Sequence, residues 1–247
     1  MSKFNGSGAL ALWIDVAPEL QAEADAWYVD EHLPERIVVA GYRRASRYVA
    51  LQGAPRYLSV FEADTPQALA SDGYLGLVRQ ISDQSKRIRG GFSNVARNTF
   101  LVRASAARAL GAVVASLRLE PAAPDGSAPA TPAPSTMDEL VTALIGHHCI
   151  VGAHWLQGDP QVRAKMDAVR AVGTADAGVD HVLLVEATQA AEIETLRKGP
   201  LSDAALLSAG WRVQSFGIYQ LLCTMSAGDC VGHQAPATSA IHTQGKT

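Results

Sequence analysis

Long hydrophobic runs are missing from this chain. No stretch approaches the ~20 uninterrupted apolar residues that a membrane-spanning helix needs. The opening "MSKFNGSGALALWIDV" holds one lysine, but Asp15 interrupts it before an apolar leader core can form, so no secretory leader is expected. A surplus of one charge is missing too: 21 Lys and Arg stand against 24 Asp and Glu, a net −3. Without a concentrated basic face, nucleic acid is not an expected partner. The short basic clusters at 43–47 and 86–89 read as solvated strand ends or helix faces. Cysteine is scarce. Cys149, Cys223 and Cys230 are odd in number and lack close metal-type spacing, which suits a reducing, cytoplasmic setting. Cys149 and Cys223 lie in apolar runs and read as small buried hydrophobes. The chain has no GxGxxG after a strand, no GxxxxGK[ST], no GxSxG and no HExxH. Nucleotide enzymes, serine hydrolases and zinc peptidases therefore lack their usual signals.

What is present is ordinary globular composition, 48% apolar and 18% charged, with ample material for a core. Strand signals fall at "GALALWIDV" (8–16), "GYRRASRYVALQ" (41–52), "RYLSVFEAD" (56–64) and "SNVARNTFLVRA" (93–104). Helices read between them: one from Pro18 through "ELQAEADAWYVDEH", and one opened by Thr65 as N-cap with Pro66 at the first helical position. "GYLGLVRQISDQSKRIR" after it is less regular. The order β-α-β-β-α-β is the split-βαβ pattern of a ferredoxin-like unit.

The second half repeats this order. "RYLSVFEADTPQAL" (56–69) aligns without gaps on "DHVLLVEATQAAEI" (180–193), which sets Glu62 on Glu186. "LQGAP" (51–55) matches "LQGDP" (156–160), "GALALWIDV" matches "GAVVASLRL" (111–119), and "VQSFGIYQLLCTM" (213–225) closes the unit. A helix from "TMDELVTALIG" replaces the first-half stretch that carries "WYVDEHLPER". The sequence thus predicts an α+β fold of two tandem ferredoxin-like repeats packed sheet to sheet, residues 1–104 and 105–225. Residues 121–135, with five prolines, read as an extended loop. Residues 226–247 read as a flexible tail.

"WYVDEHLPER" ending the first helix, "GYRRASRY" opening the second strand, "PRYLSVFE" as the third, and a closing strand with Arg97 and Phe100 resemble the dimeric α+β-barrel superfamily. That group includes EthD-like and antibiotic-biosynthesis-monooxygenase-like proteins. The resemblance covers residues 8–104 well and the second half in element order. It implies a barrel that most members build from two chains, with the ligand between helices and sheet at the end of the first helix. Implied activities range over cofactor-independent oxygenases, isomerases, cyclases and haem proteins, so fold alone does not choose among them. It also implies further association into homo-oligomers.

Candidate site residues follow. Helical spacing pairs Trp27 with Glu31 and Tyr28 with His32. Pro34 is expected to stop the helix, leaving His32 in its last turn. His32 is then either a C-terminal cap favoured by the helix dipole or a general acid–base, with Glu31 and Tyr28 orienting it. Strand alternation puts Arg43, Ala45, Arg47, Val49 and Leu51 on one face and Arg44, Ser46, Tyr48 and Ala50 on the other. Arg44, Arg47 and Tyr48, with Trp27 and Arg97, are candidate substrate-binding residues; the plain alternative is arginines reaching solvent. Arg97 is expected either to reach the cleft or to form a buried pair with Glu62. His147 and His148 read as strand neighbours that point apart, and His154 with His181 stays open as a cross-strand pair. No dedicated metal site and no obligatory cofactor is expected, although a haem held by one histidine would leave no spacing signature. The expected partner is a small aromatic or carbonyl-bearing molecule. The competing reading is a non-enzymatic binding or scaffold protein.

Overall fold

Strands that are apolar on both faces must be covered twice, and this chain does so by closing its sheet into a barrel. The computed structural model describes residues 4–122, 133–169 and 177–229. Most of the proline-rich loop (123–132) and the tail from 230 lie outside the described residues. The first half supplies β1 (Gly8–Val16), β2 (Tyr42–Gln52), β3 (Tyr57–Ala63) and β4 (Phe92–Ala107). The second supplies β5 (Val113–Pro121), β6 (Ile150–Gly158), β7 (His181–Ala187) and β8 (Trp211–Ser226). Their hydrogen-bonded order is β1-β3-β2-β8-β5-β7-β6-β4, closed and antiparallel. Taken separately the halves read β4-β1-β3-β2 and β8-β5-β7-β6, the same ferredoxin-like order twice.

The long closing strands make the seams. Each has 16 residues, enough to pair within its own sheet and then reach the other. β4 pairs with β1 up to Leu101, then runs beyond residue 104 to set Ala104–Ala107 against β6. β8 does the same between β5 and β2. Among the described residues closure leaves no exposed sheet edge, which removes the aggregation hazard of a free strand.

Three apolar clusters result. One fills the lumen with residues of both halves, including Trp13, Tyr48, Leu58, Phe100, Leu156, Leu184 and Tyr219. The other two lie under the helices of each half. The first half carries α1 (Gln21–Trp27), α2 (Leu33–Ile37), α3 (Asp72–Arg79) and α4 (Asp83–Gly90). The second carries α5 (Pro134–Leu144), α6 (Pro160–Asp167), α7 (Ala190–Arg197) and α8 (Asp203–Ser208). Among the described residues no helix is long and apolar enough to cross a membrane.

Local chemistry explains several boundaries. Thr65 caps as expected, its hydroxyl accepting from the Ala68 N–H, though Pro66–Ala70 is a 3-10 turn. The irregular stretch after it becomes two helices because Ser71 and Ser82 each cap one. "LQGAP" and "LQGDP" both end a second strand, then diverge. Gly53, at φ +89°, turns the first directly into β3, whereas Asp159 accepts from the Gln161 and Val162 N–H groups and starts α6. Register also corrects one alignment. Gly8 lies opposite Ala63 and Val113 opposite Ala187, so Gly8 corresponds to Val113 and not to Gly111. His147 and His148 lie in the turn before β6, not on a strand.

Candidate functional site

Pro34 cannot sit inside a plain α-helix, because its ring meets the carbonyl four residues back and its N–H is missing. The chain accommodates it with one wide turn. Tyr28–His32 is π-helical, with the Leu33 N–H reaching the Tyr28 carbonyl, and the helix continues through Pro34 to Ile37. The expected helix stop is therefore a π-bulge, a feature common at functional sites. The wider turn also changes which side chains meet. His32 stacks on Trp27, five residues back, with ring centroids 4.3 Å apart and planes at 21°. Tyr28 and Phe61 of β3 meet His32 edge-on at 5.0 and 6.0 Å.

His32 is 7% exposed. Burial, reinforced by the guanidinium groups of Arg36, Arg89 and Arg47, holds its pKa well below 6.5, so the imidazole is neutral at physiological pH. Its Nδ1 lies 3.3 Å from the Glu35 carboxylate. An ionised carboxylate only accepts, which assigns the ring proton to Nδ1 and leaves Nε2 as the basic atom. Burial raises the pKa of Glu35, with Arg36 and Arg89 opposing. Glu31, expected to tune His32, instead accepts from the Ser82 and Ser85 hydroxyls at 2.7 and 2.8 Å. Ser85 in turn accepts from Trp27 Nε1 at 3.0 Å. Burial alone would raise the Glu31 pKa, but these donors outweigh it and the pKa is lowered. Glu31 thus ties the π turn to α4.

β2 sorts the arginines by alternation. Arg47 faces the helices, 1% exposed, with its guanidinium 3.5 Å from the Tyr28 ring centroid and 4.3 Å from that of Tyr57. One nitrogen donates to Asp25 at 2.8 Å. Its Nε and Nη1, the Tyr28 hydroxyl and the Ser59 hydroxyl are all buried without a hydrogen-bond partner. Ser59 lies directly opposite Arg47 in the β2–β3 register. Unpaired buried polar atoms cost about 1–3 kcal/mol each, and several on neighbouring residues require an explanation.

Arg44 and Tyr48 face the other way. Arg44 is in the lumen, where its Nε and Nη2 donate to Glu62 at 2.7 and 2.5 Å. Tyr48 joins the lumen cluster, where burial pushes its hydroxyl pKa up. Arg97 is not the partner of Glu62. It donates to Asp167 of α6 at 2.6 Å, and Arg163 shares that carboxylate. His154 and His181 also fall on opposite faces. His154 sits in the lumen between Ser105 and Glu186, while His181 lies under the helices against Trp155 and Trp211. They cannot share a metal.

Of the expected residues, then, Trp27, Tyr28, His32 and Arg47 come together. Glu31 supports them by tying the π turn to Ser82 and Ser85 at the start of α4, and Arg44, Tyr48 and Arg97 have other surroundings. Glu35 and Arg36 were missed, although they stand three and four residues after His32, which is contact spacing on a helix. Arg89, Tyr57 and Ser59 carry no local signal, since only the tertiary fold brings them to His32 or Arg47.

No protein-family model matches the chain, and no curated protein matches it in sequence. Solved structures do match. An anthrone oxidase-like protein superposes with a TM-score of 0.56 at 14% identity, covering 92% of this chain and 95% of that one. A candidate monooxygenase from Fusobacterium nucleatum gives 0.52 at 8% identity, over 90% and 95% of the two chains. A heme-binding protein from Thermus thermophilus gives 0.51 at 9% identity, over 90% and 93%. The chain shares the α+β-barrel fold of these structures. At these identities the likeness establishes the fold alone, and chemistry has to be argued from the side chains.

Proposed function

We propose that the layer between the π turn and β2–β3 binds a small aromatic or carbonyl-bearing molecule with an anionic or strongly accepting group. The observation that carries this reading is the set of unpaired buried donors at Arg47, Tyr28 and Ser59. A guanidinium is matched to a carboxylate, phenolate or enolate oxygen, and the faces of Trp27, Phe61 and Tyr57 suit a flat ligand. The names of the anthrone oxidase-like and monooxygenase-type neighbours fit a ligand of that class.

If the bound molecule reacts, the residues favour cofactor-independent proton transfer of the isomerase, cyclase or oxygenase type. Neutral His32 takes a proton at Nε2 while Glu35 holds Nδ1 and offsets the imidazolium that forms. Arg47 meets the negative charge left on the substrate oxygen, with Tyr28 and Ser59 as further donors. Trp27 and Glu31 fix the turn on which His32 rides. Haem binding is the alternative suggested by the Thermus thermophilus neighbour. A Soret band abolished by His32→Ala would support it. A scaffold role without a ligand is the remaining reading.

The deciding experiment is a thermal-shift screen with small aromatic acids, lactones, quinones and haem, on the wild type and His32→Ala. A ligand at ~100 times its dissociation constant adds about 2.7 kcal/mol. A shift reduced in His32→Ala is the expected result. No shift with any compound would leave the scaffold reading.

A further inference from the structure

The turn between α5 and β6 holds a second chemistry, independent of the site at the π turn. His147, His148 and Cys149 form it, with the Ile150 N–H bound to the His147 carbonyl at 3.3 Å and the Thr188 N–H to the Cys149 carbonyl at 3.1 Å. Cys149 has φ +56°. Residues with a Cβ are disfavoured in this left-handed region, and glycine or asparagine is the usual occupant. On a strand the side chains of 148 and 149 would point apart. The turn brings them together, with Cys149 Sγ 3.2 Å from His148 Nε2. Glu192, in the first turn of α7, completes a triangle whose ligand atoms all lie within 4.8 Å of one another. Cys149 is not the buried hydrophobe expected from its apolar neighbours; it and Glu192 are half-buried, and His148 is exposed.

We propose that His148, Cys149 and Glu192 bind a divalent transition-metal ion of the zinc type. Thiolate, imidazole and carboxylate are the three common zinc donors, at ~2.0–2.3 Å from the ion. Ligand atoms around such an ion lie roughly 3.5 Å apart, given those bond lengths and tetrahedral angles. The triangle therefore closes by about 1 Å of movement, which the His148 and Glu192 side chains supply without backbone change. A thiolate in the set disfavours magnesium and calcium. Three protein ligands leave the fourth position to water, and binding releases the Cys149 proton. The ion would join the start of β6 to α7, and the strained backbone at Cys149 is retained for its sulfur.

The test uses the metal-free full-length chain titrated with Zn2+ and Co2+. The expected result is one ion per chain, a rise in melting temperature with Zn2+, and the thiolate-to-cobalt charge-transfer band of a four-coordinate site. His148→Ala and Glu192→Gln should weaken binding by at least the ~10–100-fold lost when even a supporting residue is removed. Cys149→Gly suits the left-handed backbone, so its metal-free form should be no less stable than wild type. It should nevertheless lose both the band and the zinc-induced shift. Cys223→Ser/Cys230→Ser should retain them, which separates this site from the tail's Cys230, His233 and His242. A charge-transfer band that survives Cys149→Gly, or the absence of stoichiometric binding, overturns the proposal.

Discussion

Arg47→Met separates a binding role for Arg47 from a structural one. In the folded protein the guanidinium gains two cation–π contacts, with Tyr28 at 3.5 Å and Tyr57 at 4.3 Å, about 2 kcal/mol each when desolvated. It also gains one charge-assisted hydrogen bond to Asp25, at about 1.5–3 kcal/mol, discounted because that side chain is 49% exposed. Against these gains of about 5 kcal/mol stand two buried unpaired N–H positions, Nε and Nη1, at about 1–3 kcal/mol each. Removing the charge from water costs several kcal/mol more. The sum is close to zero or unfavourable. Methionine keeps the packing of the stem and removes the charge, so Arg47→Met should lie between neutral and about 2 kcal/mol more stable. Arg47→Ala also opens a cavity beside the two tyrosines and should lose about 2–4 kcal/mol. Urea unfolding without ligand measures both variants, and the thermal shift with an aromatic carboxylate reads binding. The reasoning fails if Arg47→Met loses more than about 3 kcal/mol, or if it keeps the full ligand-induced shift.

The lumen gives a paired prediction. Glu62→Gln strands Arg44 as an uncompensated buried charge and should cost about 3–5 kcal/mol; Glu186→Gln should cost clearly less, because its partner is an imidazole and not a permanently charged guanidinium. Equal losses in urea unfolding would show that the His154–Glu186 contact is a full ion pair. His32 supplies a pH dependence. Its folded pKa lies below the unfolded 6.5, so the unfolded chain binds more protons in that window. Its stabilising contribution is complete above pH 6.5 and is lost as pH falls towards the folded pKa. Unfolding between pH 5 and pH 8 should show this slope in wild type and a shallower one in His32→Phe, and equal slopes would mean that His32 ionises freely when folded.

The strand order was legible because Val, Leu, Ile and aromatic residues alternate between turn signals, and because "RYLSVFEAD" and "DHVLLVEAT" carry the same pattern. Two units covering each other's sheets were legible through that repetition, and the barrel through the resemblance carried by residues 8–104. The site was less so. Pro34 read as a stop because sequence rules describe α-helical turns, and a π-bulge satisfies proline in a different way. The π turn exchanged the partners of His32, from the expected Glu31 and Tyr28 to Trp27 and Tyr28, and the helix that continues past Leu33 brought Glu35 to its Nδ1. The Glu62 partner was misassigned for another reason. Ala9 lies opposite both Glu62 and Phe100 on the lumen face, and Arg97, three residues before Phe100 on β4, falls on the other face of the sheet. α6, which holds Arg97 through Asp167, was not expected where the first half has a tight turn.

Comparing the halves position by position shows which features they share and which differ. Glu62 and Glu186 occupy equivalent lumen sites, and each carboxylate accepts a backbone N–H, from Asn5 and Gly111 respectively. The cation differs. Opposite Glu186 stands Gly152 where Arg44 stands opposite Glu62, and a Cβ on Gly152 would come within 3.1 Å of His154 Nε2. The glycine leaves the space that the His154 ring fills to reach Glu186, so the same anionic position is satisfied by a different side chain. Under the helices nothing comparable is conserved between the halves. Trp155 stands opposite Leu183 where Arg47 stands opposite Ser59, and His181 replaces Tyr57 in the aligned strand. The second half packs those positions with rings, whose Trp155 Nε1, Trp211 Nε1 and His181 Nδ1 are also unpaired. Edge-to-face contacts at 4.8 and 6.1 Å are a geometry in which a neutral ring N–H can meet a π face; a guanidinium has no comparable way to satisfy all five of its donors. A barrel made from two identical chains would have to carry Arg47, Tyr28 and His32 twice. A single chain is free to carry them once and to use the other half as packing, and among the described residues the buried arginine nitrogens without a hydrogen-bond partner lie in the half that carries the π-bulge.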